Sequence, residues 1–283
     1  MTSDVPRRSP APHRCTARSR PALRRPADLA FAAAACAALA GYNNLAGQRP
    51  WHRRWYPAVN ACAAATALGA AAAAGLTGDD LGLSPDKLRP GLRRGAAAAA
   101  PVVATLALAA LTPATRPLLD DERVASLTNR QLAYQVLLRI PIGTVAWEEI
   151  AFRGVLQAAL RRVLAEPAAT AAASATFGLW HIRPTAEALA LNRLAPSRGA
   201  RIATVTAVAA GTAAAGALLS VLRERSGSLA APVMLHLAAN CTAPLASALA
   251  RTIERGKRPN RPGTPPGPGR NAGRTRARSR AGG

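Results

Sequence analysis

The chain has 283 residues, 37 Lys and Arg against 14 Asp and Glu, a formal net charge of +23, and is 49% hydrophobic yet only 4% aromatic. Alanine runs supply most of the apolar count, a composition open to soluble and membrane proteins alike, so the placement of charge has to decide the class. The four cysteines, Cys15, Cys36, Cys62 and Cys241, show no CxxC spacing, so neither a disulfide framework nor a zinc knuckle is indicated.

Residues 1–27 are rich in Arg, Pro and Ser and bury too little apolar surface to fold, so they read as a disordered basic tail. Apolar blocks follow at 29–46, 57–77, 95–113, 131–151, 168–190, 201–222 and 229–250, most of them near the length that crosses a ~30 Å hydrocarbon core. The first is followed by GYNNLAGQ rather than a small-residue cleavage site, so it is expected to stay as an anchor. Cys36, Cys62 and Cys241 fall in these blocks and read as small packing hydrophobes. Residues 28–130 are expected to form N-terminal transmembrane helices, 131–250 a transmembrane core, and 251–283 a second disordered basic tail. The mean hydropathy of +0.06 is low because the tails dilute it. The fold class is all-α, a polytopic transmembrane helical bundle.

The blocks number seven. An eighth candidate is FRGVLQAALRRVL, where Phe152, Leu156, Ala159 and Val163 recur at helical spacing while Arg161 and Arg162 make the segment amphipathic. The excess of Arg in both tails places both in the cytosol, which requires an even number of crossings.

The stretch VAWEEIAFRG, residues 145–154, sets three charges in an apolar block. A charge at the centre of a spanning helix costs ~2.5–3.5 kcal/mol, so carboxylates at that depth point to a functional site. Glu149 and Arg153 stand one turn apart and suit an ion pair, whereas Glu148 is turned about 100° away in an α-helix and shares its stripe with Phe152. A charge cluster at a helix end accounts for the pair of acids equally well. His13 and His52 lie in polar, basic connectors, while His181 and His236 lie in or beside apolar blocks. Each of the latter has a companion one turn away, Phe177 before His181 and Asn240 after His236.

A lone His of this kind is more often an interhelical hydrogen bonder. Yet apart from Glu187 the other acids keep to connectors, tails and helix ends, so Glu148, Glu149, His181, His236 and Asn240 are nearly the whole intramembrane stock of catalytic groups. The set suits water activation, with Glu148 as general base beside His181, and His236 with Asn240 as donors to an oxyanion. It equally offers zinc a ligand set of Glu148, His181 and His236 with one position open for water. Neither HExxH nor HxxEH occurs, so such a metal site has to be assembled from separate helices.

At these residues the chain resembles the CPBP family of intramembrane proteases, named for CAAX prenyl proteases and bacteriocin-processing proteins and also called ABI. The family's EExxxR matches Glu148, Glu149 and Arg153, its FxxxH matches Phe177 and His181, and its HxxxN matches His236 and Asn240. The stretch RERSGSLAAPVMLH resembles the segment leading into the third motif, and the likeness covers roughly 130–245. The resemblance implies eight helices, a water-accessible cavity in the bilayer, and proteolysis of a membrane-associated peptide or protein. It also implies roles: Glu148 and His181 activate water, His236 and Asn240 stabilise the oxyanion, Glu149 completes the catalytic set, and Arg153 and Phe177 support it. Zinc is the cofactor it suggests.

The rival function is a non-enzymatic scaffold, immunity protein or ion path using the same residues, against which the Asn and Arg companions speak. The basic tails are expected beside anionic lipid headgroups rather than on nucleic acid, since no aromatic residues interleave with the Arg. The Ala and Arg bias points to a bacterial plasma membrane as the location.

Overall fold

The computed structural model describes residues 26–191 and 197–257, and among them every regular element is helical. Five rods are simple: α1 (Pro26–Leu45), α3 (Tyr56–Ala73), α5 (Pro85–Leu111), α11 (Arg198–Ser226) and α12 (Ala230–Lys257). Two are compound. Residues 129–163 run unbroken through α7 (Asn129–Tyr134), two stretches of π-helical turns, π1 (Gln135–Ala146) and π2 (Glu149–Leu156), and α8 (Gln157–Val163). The next rod is α9 (Glu166–Trp180) followed by α10 (Ile182–Leu191), interrupted at His181. Short helices α2 (Pro50–Arg54), α4 (Gly78–Leu81) and α6 (Glu122–Ala125) sit in the connectors.

Each of the seven apolar blocks is therefore a rod, and the chain is an all-α membrane protein. Three helices, Gly78–Leu111, Arg198–Ser226 and Ala230–Gly256, are long and apolar enough to cross a bilayer. Their outer faces expose Leu108, Ile202, Leu218 and Leu245, as a lipid-facing surface does. The remaining rods are shorter, broken or carry the charged and polar side chains of the site.

Two expectations are corrected. FRGVLQAALRRVL is not an eighth helix at the interface: it continues the rod that holds Glu148 and Glu149. Phe152, Leu156, Ala159 and Val163 are buried, as are Gln157, Ala158 and Leu160, and only Arg161 and Arg162 emerge, at the rod's end. Likewise, residues 26–27 open α1, and residues 251–257 are the last turns of α12 rather than tail. Those turns are held because Arg251 reaches the Asp121 carbonyl (3.0 Å) and Ser247 (2.8 Å), and Glu254 pairs with the buried Arg116 at 2.7 Å. Residues 1–25 and 258–283 lie outside the described residues.

Side chains knit each end of the bundle. At one, Arg162 donates to the Ala74 carbonyl (2.6 Å) and pairs with Asp28 (3.3 Å), Arg161 pairs with Glu224, and Arg223 donates to the Asp80 carbonyl (2.9 Å). At the other, Arg53 pairs with Glu187 (2.8 Å) and Arg251 with Asp120 (3.4 Å). With seven alternating rods, Pro26 and Lys257 lie at opposite ends, which differs from the even count that two tails on one side require.

Alanine-rich rods gain contact by close approach rather than by large side chains. Gly91 and Gly95 of α5, one turn apart, face α12. A Cβ on Gly91 would fall 2.5 Å from the Ser228 Cβ, and one on Gly95 2.9 Å from the Ala231 carbonyl oxygen. Gly95→Leu is expected to cost about 1–3 kcal/mol through overpacking. It should lower the melting temperature in detergent, whereas Gly69→Leu, with nothing within 4 Å, should leave it in place.

Candidate active site

The rod that carries both acids begins with a capping box. The Thr128 hydroxyl accepts from the Gln131 amide (3.3 Å), and the Gln131 side chain accepts from the Thr128 amide (2.9 Å). Further along, π-helical turns replace α-helical ones on either side of Trp147 and Glu148. Such turns recur at functional sites, and their wider pitch circle takes more residues per turn, so successive side chains are rotated less than in an α-helix. The two acids thereby come to face one ring. His236 of α12 places Nδ1 at 2.7 Å from Glu149 Oε1 and Nε2 at 3.8 Å from Glu148 Oε2. A 100° separation therefore understates how closely Glu148 and Glu149 share a face.

All of this is buried: Glu148 is 4% exposed, Glu149 0% and Arg153 2%. Arg153 Nη1 donates to Glu149 Oε1 at 3.1 Å, the pair that the four-residue spacing predicts, and Nη2 donates to the Gly216 carbonyl at 3.3 Å. Its guanidinium also lies over the Phe177 ring, 4.1 Å from the centroid. Gly216 leaves room for this, since a Cβ there would stand 3.1 Å from the Phe177 Cδ1 and 3.3 Å from Arg153 Nη2.

Phe177 is the hinge of the arrangement. Its ring centroid is 4.6 Å from that of His181, 6.3 Å from that of His236 and 5.0 Å from that of Phe152. His181, where the rod breaks, is half-buried and lies 2.8 Å through Nδ1 from the Phe177 carbonyl oxygen. A carbonyl only accepts, so Nδ1 carries the proton and Nε2 is left open. Among the described residues no hydrogen bond joins His181 to Glu148. Asn240 is half-buried one turn beyond His236 on α12.

The zinc set expected from Glu148, His181 and His236 does not come together. No three His, Cys, Asp or Glu side chains among the described residues are grouped to hold a metal ion, even though the bond of His181 Nδ1 to the Phe177 carbonyl leaves Nε2 available.

Residues 130–242 match the family model described as Rce1-like, type II CAAX prenyl endopeptidase. Over this segment, less than half of the chain, it is similar to the CAAX proteases. No curated protein and no solved structure matches the chain. The matched segment contains Glu148, Glu149, Arg153, Phe177, His181, His236 and Asn240, and the match together with the long apolar rods points to an integral membrane protein.

Several site residues escaped the sequence reading, and some lie outside that segment. Trp180 Nε1 donates to Glu148 Oε1 at 3.0 Å. Tyr42 of α1 stacks on Trp180, the rings 1° from parallel with centroids 5.6 Å apart. The Tyr42 hydroxyl donates to Asn60 Oδ1 (2.8 Å), which also faces His52 Nε2 (3.1 Å), and Asn60 Nδ2 donates to the Gly143 carbonyl (2.5 Å) in π1. His52 is 1% exposed, not a solvated connector residue. The available signal was the density of rings in WHRRWY, an unusual investment for a chain only 4% aromatic.

Proposed function

We propose that the protein is an intramembrane peptidase of the CAAX protease type that hydrolyses a peptide bond in a membrane-associated protein or peptide. The observation that carries this reading is the state of Glu148. One carboxylate oxygen is tied to Trp180, while the other, Oε2, is buried, has no hydrogen-bond partner and faces His236 Nε2 at 3.8 Å. That gap is too long for a direct hydrogen bond and suits an oxygen held between the two groups.

In this mechanism Glu148 Oε2 takes a proton from the attacking water, and His181, with Nε2 open, shares the proton traffic toward the leaving amine. His236, fixed through Nδ1–H to Glu149, presents Nε2 to the reacting carbonyl and in its protonated form donates to the oxyanion beside the Asn240 amide. Arg153 balances the second buried carboxylate. The membrane-associated substrate enters from the bilayer, and anionic headgroups are the partners proposed for the basic flanks.

His236→Ala is expected to remove, by at least ~100-fold, the new peptide termini that the wild-type protein generates in the membrane fraction of expressing cells. Arg14→Ala should leave them unchanged. Termini that are indistinguishable between the wild type and His236→Ala, with both proteins inserted, would replace the peptidase by a scaffold or ion path.

A further inference from the structure

A general base buried in a membrane helix is useful only if its reactive oxygen points one way, and a glutamate side chain has three rotatable bonds with which to point elsewhere. We propose that Trp180 is a positioning residue for Glu148, and that Tyr42, anchored by Asn60 and His52, is the seat that holds Trp180 in place. The inference rests on Glu148 acting as the base.

The geometry is a relay of fixed parts. Trp180 is 2% exposed and spends its one N–H on Glu148 Oε1, which selects Oε2 as the free oxygen. An indole has two side-chain torsions, and here both are confined: Tyr42 covers one face in a parallel stack, and the Phe152 ring meets Trp180 at 83° with centroids 5.4 Å apart. Tyr42 cannot swing away without breaking its hydroxyl contacts to Asn60 and His52, at 2.8 and 3.2 Å. Asn60 closes the circuit, because its amide holds the Gly143 carbonyl on the very rod that carries Glu148. Two supports therefore reach the acid, one through the indole and one through the backbone five residues before it.

The supports come from α1, the α2 connector and α3, all outside the segment that matches the family. The N-terminal rods are in this view part of the catalytic apparatus, not only membrane anchors. Tyr42, His52 and Asn60 touch no reacting atom; their effect passes through Trp180 and the π-helical turns.

The test uses full-length protein in detergent micelles with 15N-labelled tryptophan, whose indole N–H resonances come from Trp51, Trp55, Trp147 and Trp180. Glu148→Gln turns a charge-assisted bond into a neutral one, so the Trp180 resonance should move farther than the other three, and a Trp180 resonance left in place overturns the proposal. In cells, Trp180→Phe keeps the stacked ring but deletes the donor, and should cut Glu148-dependent termini roughly 10- to 100-fold. A folded Trp180→Phe protein with undiminished termini also overturns it. Should Trp180→Phe fail to accumulate, Phe variants of the other three tryptophans assign the resonances, and Tyr42→Phe, which keeps the stack but loses the anchor, serves as the activity variant with a smaller loss expected. If Glu148→Gln removes no termini, the peptidase reading fails by itself, while the indole result still decides whether Trp180 holds Glu148.

Discussion

Glu148→Gln is expected to abolish the membrane-fraction termini made by the wild-type protein, a fall of at least ~100-fold and up to ~10,000-fold. The substitution conserves volume and can still accept from Trp180, so the local fold has little reason to change. What it loses is the basicity of Oε2, an oxygen left without a partner and facing His236 Nε2 at 3.8 Å. Normal insertion and an unaltered melting temperature should accompany the loss. Full activity in Glu148→Gln would remove the water-activating role from this residue and hand it to Glu149, whose Oε1 is already engaged by Arg153 and His236.

Arg153→Met carries the largest expected cost in stability. Removing one member of a buried ion pair strands the other charge, at about 3–5 kcal/mol, and here the stranded carboxylate is 0% exposed. Methionine fills much of the same space beside Phe177, so packing loss is not the main term. The decisive comparison is the double variant Glu149→Gln with Arg153→Met, which deletes both charges and should recover part of the lost melting temperature, a coupling that independent sites do not give. If the single variant melts within a degree or two of wild type, Arg153 is not what stabilises the buried Glu149 side chain.

The pairing of Glu149 with Arg153 was legible because it depends only on spacing along one helix, which survives the change from α to π turns. The shared approach of both acids to His236 was not legible. Nothing in the letters GTVAWEEIAFRG announces π-helical hydrogen bonding, and an α-helical wheel separates the two carboxylates. The seven apolar blocks became seven rods because hydrophobic length is a strong local signal. The extra helix drawn from FRGVLQAALRRVL failed for a different reason. Arg161 and Arg162 looked like the polar face of an interfacial helix, but they are end caps that reach Glu224, Asp28 and the Ala74 carbonyl, partners far away in sequence. His52 was misread in the same manner. Its neighbours Arg53 and Arg54 are exposed, and only the tertiary contacts with Tyr42 and Asn60 reveal that the imidazole between Trp51 and Arg53 is buried.

The tryptophans divide into two populations. Trp147 and Trp180 are 4% and 2% exposed and lie next to Glu148, whereas Trp51 and Trp55 are 54% and 59% exposed. Emission from the first pair belongs to a buried surrounding and from the second to an exposed one, so the protein carries an intrinsic fluorophore beside Glu148 with an internal reference built into the same chain. A peptide entering beside Glu148 would announce itself in the blue edge of that spectrum without any label being attached.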